Sequence, residues 1–205
     1  MAGKVDADRM LRETICSYNA HPDFYVRRYC HAGLERYRRI FMAALPDASA
    51  RILDGGCGPG RDCLAFHQSG LTVVGLDLAF NLLLTARKIA PVPLINADLR
   101  VLPFRNESFE GVWLCASLVH LLPPSVNAAL REASRVLGCG GILFASVRKG
   151  APGWRQDGLG GRRWFAGFDE EGFISALRDS GLELFSEHGG SASSDGWINV
   201  LARKP

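Results

Sequence analysis

Apolar and polar positions along this chain follow two rhythms. From Ala50 to Leu53 a short apolar run leads into Asp54-Gly55-Gly56-Cys57-Gly58-Pro59-Gly60, after which Arg61 to Gln68 takes a helical spacing with Leu64 and Ala65 inward. The pattern is a strand, a glycine turn and a helix. Thr72 to Leu76 makes a second strand entering Asp77, and Phe80 to Ile89 is rich in helix formers. Val92 to Ile95 and Phe109 to Cys115 read as a third and a fourth strand. Between Ser125 and Leu137, the residues Val126, Ala129, Leu130, Ala133 and Leu137 form the stripe of a helix facing a core, and Gly138 is expected to end it.

Gly141 to Val147 is a fifth strand, followed from Arg148 to Gly167 by a stretch rich in glycine, arginine and tryptophan that reads as irregular. Asp169 fits the N-cap of a helix through Phe173, Ile174 and Leu177, closed by Gly181. Leu182 to Glu187 and Trp197 to Arg203 flank a polar loop and can pair as a hairpin. Strands that alternate with helices need crossover connections, which predicts an α/β fold with a mostly parallel, doubly wound sheet and an antiparallel addition at the end. Upstream, Leu34, Tyr37, Phe41 and Leu45 make a helical stripe. The expected organisation is one domain over 1–205: an N-terminal helical cap (1–47), a core (48–205), and within it a substrate-side insert (148–168).

Composition narrows the class. With 205 residues, 47% hydrophobic and 22% charged, the chain has the make-up of a folded domain rather than a disordered or fibrous one. Its formal charge of +3 is too balanced to argue for nucleic acid. The N-terminal residues lack a secretory apolar core, and no stretch approaches the roughly 18 apolar residues of a membrane span. The six cysteines therefore read as free thiols of a cytoplasmic protein, and without Cys-x-x-Cys or clustered histidines no metal is expected. Oligomeric state leaves no mark in the sequence.

The glycine turn carries the candidate chemistry. In an open parallel sheet ligands lie beyond the carboxyl ends of the strands, so the turn after Leu53 is the default site. Gly56, Gly58 and Gly60 permit close backbone approach, and N–H groups around Cys57 and Arg61 open toward ligand oxygens at a helix start. The spacing is not Gly-x-Gly-x-x-Gly, because the third position falls on Arg61, and no lysine follows Gly60 as a phosphate-binding loop would require. A nucleoside-like ligand without a long phosphate chain remains. Asp77 is placed to accept from both hydroxyls of a ribose, and Asp98 with the Leu99 N–H could meet an exocyclic amine and a ring nitrogen.

Five blocks together resemble the class I S-adenosylmethionine-dependent methyltransferases: Ile52 to Asp62, Val73 to Ala79, Asn96 to Phe104, Phe109 to Leu122 and Leu130 to Val147. The resemblance implies a Rossmann-like seven-stranded sheet with a reversed last strand, and S-adenosylmethionine as cofactor with S-adenosylhomocysteine as product. It assigns the turn from Asp54 to Gly60 to the methionyl part, Asp77 with Leu78 to the ribose, Asp98 with Leu99 to adenine, and Cys115 to the sulfonium region. Tyr18 and Tyr25 are the expected lid contacts. His120 becomes the candidate general base, since an ordinary histidine pKa suits proton removal. Tyr29, Ser117, Trp154, Arg163 and Trp164 are the expected acceptor contacts beside it, and Arg155, Arg162 and Arg163 could recognise a carboxylate or phosphate. Two departures from the family pattern stand out: Gly111-Val112 replaces a second acid, and Leu137-Gly138-Cys139-Gly140-Gly141 replaces Lys-Pro-Gly-Gly. The implied activity is methyl transfer to oxygen or nitrogen of a small metabolite. A transfer-RNA wobble-base methyltransferase and a non-catalytic cofactor-binding partner subunit are the competing readings.

Overall fold

The computed structural model describes residues 6–29, 34–185, 191–194 and 196–205. Its central sheet has the order β3-β2-β1-β4-β5-β10-β8, with β9 pairing the far side of β10. The strands are β1 (Arg51–Gly55), β2 (Thr72–Asp77), β3 (Leu94–Asn96), β4 (Phe109–Cys115), β5 (Leu137–Arg148), β8 (Glu183–Leu184), β9 (Ser191–Ser194) and β10 (Trp197–Arg203). All pairings from β3 to β5 are parallel, and β10 runs antiparallel to both β5 and β8. This is the doubly wound sheet with one reversed strand that the sequence predicted.

Period-two alternation divides the core into two layers. Val112 and Leu114 of β4 join Leu143, Ala145 and Val147 of β5 under helices α6 (Pro123–Val136) and α7 (Glu170–Asp179). On the opposite face, Trp113 stacks on Phe144 with ring centroids 4.0 Å apart, and Phe41 and Phe66 meet its edges. Those two phenylalanines come from α3 (Glu35–Ala44) and α4 (Arg61–Gln68). Gly111 belongs to this packing: a Cβ there would lie 2.6 Å from Ile52 and 2.7 Å from Phe41, so the acid of other family members has no room. Helix α5 (Phe80–Ile89) follows β2.

The N-terminal cap consists of α1 (Ala7–Ala20), α2 (Pro22–Tyr29) and α3. Tyr25 is fully buried against Ala79 and Leu82, with Ile15, Tyr18 and Phe24 around it.

Four local expectations are corrected. The third strand sits at Leu94–Asn96, later than Val92 to Ile95. Helix α6 ends at Val136 rather than at Gly138, because Leu137 already takes extended backbone and starts β5; the left-handed residue is Gly140, at φ 74°. The stretch after β5 is not irregular but a hairpin of β6 (Gly153–Gln156) and β7 (Arg162–Phe165), pairing Arg155 with Arg163 and Trp154 with Trp164. The polar loop before Trp197 contains β9, although residues 186–190 of the expected terminal hairpin lie outside the described part. Among the described residues no helix is long and apolar enough to cross a membrane.

Candidate active site

The sheet order reverses between β1 and β4, and there a cavity of about 810 Å³ opens at the carboxyl ends of the parallel strands. That volume lies within the range of roughly 300–1,000 Å³ typical of small-molecule sites. One half is built by the glycine turn. The N–H groups of Gly56 and Cys57 donate to the Leu76 carbonyl at 2.7 and 3.0 Å, pinning the turn to β2. Asp77 Oδ2 accepts from the Gly58 N–H, and Oδ1 from the Ala79 N–H, both at 2.8 Å. Burial raises the Asp77 pKa against the opposing pull of these N–H groups. A Cβ on Gly58 would meet nothing within 4 Å, so this turn faces open cavity. Gly60 differs: it does not line the cavity but caps α4, tight against Ala86 of α5.

Beneath the turn is a set of buried charges. Asp62 accepts from Arg38 Nη1 and Arg61 Nη2 at 2.6 Å each and from Trp113 Nε1 at 3.1 Å. Burial pulls its pKa up, but the two guanidiniums outweigh that and hold the carboxyl below the usual range. Burial, with the Asp62 charge nearby, raises the Asp54 pKa well above the usual carboxylate range. The predicted cofactor residue Arg61 thus spends its side chain on Asp62, passing 3.9 Å from Cys115 Sγ. Asp98 faces the cavity with Leu99 and Leu78, yet its two oxygens accept from Arg100 at 2.7–3.1 Å. Burial raises Asp98, and the bonds from Arg100 more than reverse it. After β4, Ala116 has φ 54°, a left-handed conformation uncommon outside glycine, and it turns Ser117 toward Gly56. Ser117 Oγ lines the cavity, is buried and has no partner among the described residues.

The other half is closed by the cap and the hairpin. Arg163 Nη1 donates to the Tyr18 hydroxyl at 3.0 Å, and Tyr18 meets His120 Nε2 at 2.9 Å. His120 Nδ1 lies 2.5 Å from the Trp164 carbonyl, which can only accept, so Nδ1 carries the proton and Nε2 accepts from Tyr18. Burial, opposed in part by the Trp164 bond, lowers the His120 pKa to about 4. Both ring nitrogens are occupied and the pKa is far from ordinary, a correction to the premise on which His120 was chosen as a base. Trp154 and Trp164 are also corrected. Alternation along the hairpin turns Arg155, Arg163 and Phe165 into the cavity and leaves the two indoles edge to face with each other outside its wall, their centroids 5.5 Å apart. The Tyr29 side chain lies outside the described part.

Sequence reasoning missed Ser146 and Arg148 at the end of β5, and Trp197 and Asn199 at the start of β10, all of which line the cavity. The carboxyl-end rule applied to β5 would have found Arg148. The β10 pair carried no such signal, because an antiparallel strand brings its first residues to that edge. Five described cysteines (16, 57, 63, 115 and 139) are free thiols, and among the described residues no cluster of three histidine, cysteine or acidic side chains is placed to hold a metal.

The sheet order, the glycine turn at its switch point and the acid ending β2 define a class I methyltransferase fold. Residues 53–145 match the family model described as a methyltransferase domain, and over that stretch the chain is similar to the S-adenosylmethionine-dependent methyltransferases of this class. It is 32% identical over 149 residues to a malonyl-[acyl-carrier protein] O-methyltransferase of Erwinia pyrifoliae, a match covering 69% of this chain and 53% of that protein. Another such enzyme, from Legionella pneumophila, is 34% identical over 136 residues, covering 62% of this chain and 47% of its own. The chain thus spans about half the length of these curated relatives. Among solved structures, the Burkholderia thailandensis 1,6-didemethyltoxoflavin-N1-methyltransferase, with 1,6-didemethyltoxoflavin and S-adenosylhomocysteine bound, superposes with a TM-score of 0.75 at 20% identity, covering 100% of this chain and 92% of that one. The cofactor of the class is S-adenosylmethionine.

Proposed function

We propose that this chain transfers the methyl group of S-adenosylmethionine to an oxygen or nitrogen of a small-molecule acceptor. The observation that carries the reading is the division of one cavity: a glycine turn and strand-end acids form one half, and an aromatic and cationic wall from α1 and the hairpin forms the other. Bound there, S-adenosylmethionine supplies a methyl group activated by its sulfonium. Gly56, Cys57 and Gly58 form the cradle, whose open Gly58 face fits the methionyl part. Asp77, already ordered by two N–H groups, has lone pairs left for a ribose diol. Leu78, Leu99 and Asp98 line the adenine end, where Asp98 must share its carboxylate with Arg100.

The buried Ser117 hydroxyl faces the same cradle and fits a polar contact to the cofactor, and the strained Ala116 backbone holds it there. Cys115 lies between the two halves. Tyr18 and Tyr25 cover the cavity, and with Phe165 they exclude water from the line of transfer, where alignment supplies much of the rate. His120 acts as a positioning residue: it orients Tyr18 rather than removing a proton. The names of the relatives, one acting on oxygen and one on nitrogen, support either atom as the acceptor.

The test is incubation of the protein with methyl-labelled cofactor and metabolite extracts. The reading expects a labelled small-molecule product that requires Asp77. Cofactor binding with no labelled product would instead support a non-catalytic partner subunit, and label in transfer RNA would transfer the activity to that substrate.

A further inference from the structure

The two halves of the cavity differ in charge. The four acids that line it among the described residues, Asp54, Asp62, Asp77 and Asp98, all lie on the cofactor side, and each is already engaged by a thiol, a guanidinium or main-chain N–H groups. Among the described residues no acid lines the acceptor half, whereas Arg148, Arg155 and Arg163 do. Arg148 lies two residues beyond Ser146, the register partner of Cys115, on the same face of β5, and its buried Nε has no partner among the described residues. Arg155 stands directly opposite Arg163 across the hairpin, and their guanidiniums lie 5.1 and 5.5 Å from the centroid of the same Phe165 ring. Like charges facing each other across a strand pair are destabilising, and an acceptor anion held by Arg155 offsets that cost. Among the described residues neither Arg148 nor Arg155 is ion-paired. Arg162 is excluded, because it pairs with Glu13 at 2.6 Å and covers Trp154 on the outer face.

We propose that the methyl acceptor carries a carboxylate and that Arg148 and Arg155 bind it, Arg155 at the mouth and Arg148 beside the reacting centre. The planar guanidinium fork matches a carboxylate edge with two parallel hydrogen bonds, and the aromatic wall suits the organic remainder of such an acid. The inference rests on the methyltransferase reading, since it assigns the half of the cavity that reading leaves to the acceptor.

The test uses the full chain saturated with S-adenosylhomocysteine and calorimetric titration of phenylacetate and succinate, phenylacetamide and succinamide, and phenyl phosphate. At least one carboxylate should bind ten-fold or more tighter than its amide. Arg155→Gln, at an exposed position, and Arg148→Gln should each weaken that binding ten-fold or more while S-adenosylhomocysteine affinity stays within about two-fold. Equal binding of acid and amide, no binding of any probe, tighter binding of phenyl phosphate, or carboxylate affinity unchanged in both variants would overturn the assignment. Failure of S-adenosylhomocysteine itself to bind the wild type would instead remove the underlying methyltransferase reading.

Discussion

Gly56 and Gly58 both hold left-handed backbone, at φ 74° and 53°, but a side chain meets different neighbours at the two positions. At Gly56 a Cβ would lie 2.3 Å from the Ser117 Cβ, so Gly56→Ala must move the loop after β4 and should destabilise the protein by about 2 kcal/mol or more. At Gly58 the same change meets only cavity. Gly58→Ala should destabilise by about 1 kcal/mol, the conformational term alone, and weaken S-adenosylhomocysteine binding at least ten-fold. Denaturant unfolding and calorimetry separate the two outcomes. His120 gives a pH signature. Its folded pKa of about 4 lies below the ordinary 6.5, so between those values the unfolded chain binds the extra proton and stability falls as pH drops. From pH 7 to pH 5 the wild type should lose on the order of 2 kcal/mol through this group, and His120→Gln should abolish that component of the slope. An unchanged slope in the variant would show that His120 titrates normally.

The elements closing the site are joined by Asp157, at the turn of the hairpin. Its Oδ1 accepts from the N–H groups of Leu159 and Gly161 at 2.7 and 3.0 Å, and its Oδ2 from Ser17 of α1 at 2.8 Å. Ser17 in turn lies 2.9 Å from the Tyr25 hydroxyl of α2. One carboxylate therefore ties the hairpin to two helices of the cap. Asp157→Ala should lower stability by about 1–3 kcal/mol and speed cofactor release, measured by stopped-flow displacement, without altering the glycine turn. None of this was legible in the sequence. The stretch from Arg148 to Gly167 has the glycines of a loop, yet they serve the turn and base of a hairpin: a Cβ on Gly161 would strike Asp157, and one on Gly167 would strike the Gly150 carbonyl. Period-two alternation in Trp154-Arg155 and Arg163-Trp164-Phe165 is too short to reveal strands, and the pairing that points the arginines inward exists only once the hairpin forms. By contrast, β1, β2, β4 and β5 could be read because strands buried on both faces give continuous apolar runs.

At the scale of the molecule, the strand-end residues on one side of the cavity could be read from the sequence, whereas the opposite wall could be read only in part, at Tyr18, Tyr25, His120 and Arg163. The residues proposed to hold the cofactor follow directly on strands whose order fixes where they meet, so local sequence is enough. The acceptor wall is assembled from α1, the hairpin and the start of β10, segments distant in the chain that converge only in the folded state. The formal charge of +3, a sum over the whole chain, carries no trace of an arrangement in which Arg148, Arg155 and Arg163 line the wall opposite the strand-end acids. The most direct measurement of the central claim is calorimetric titration of S-adenosylhomocysteine into the wild type and Asp77→Ala, with melting curves alongside. The prediction is one site per chain in the wild type and affinity reduced at least ten-fold in the variant while its fold persists. Absence of binding to the folded wild type, or equal affinity in the two, would contradict it.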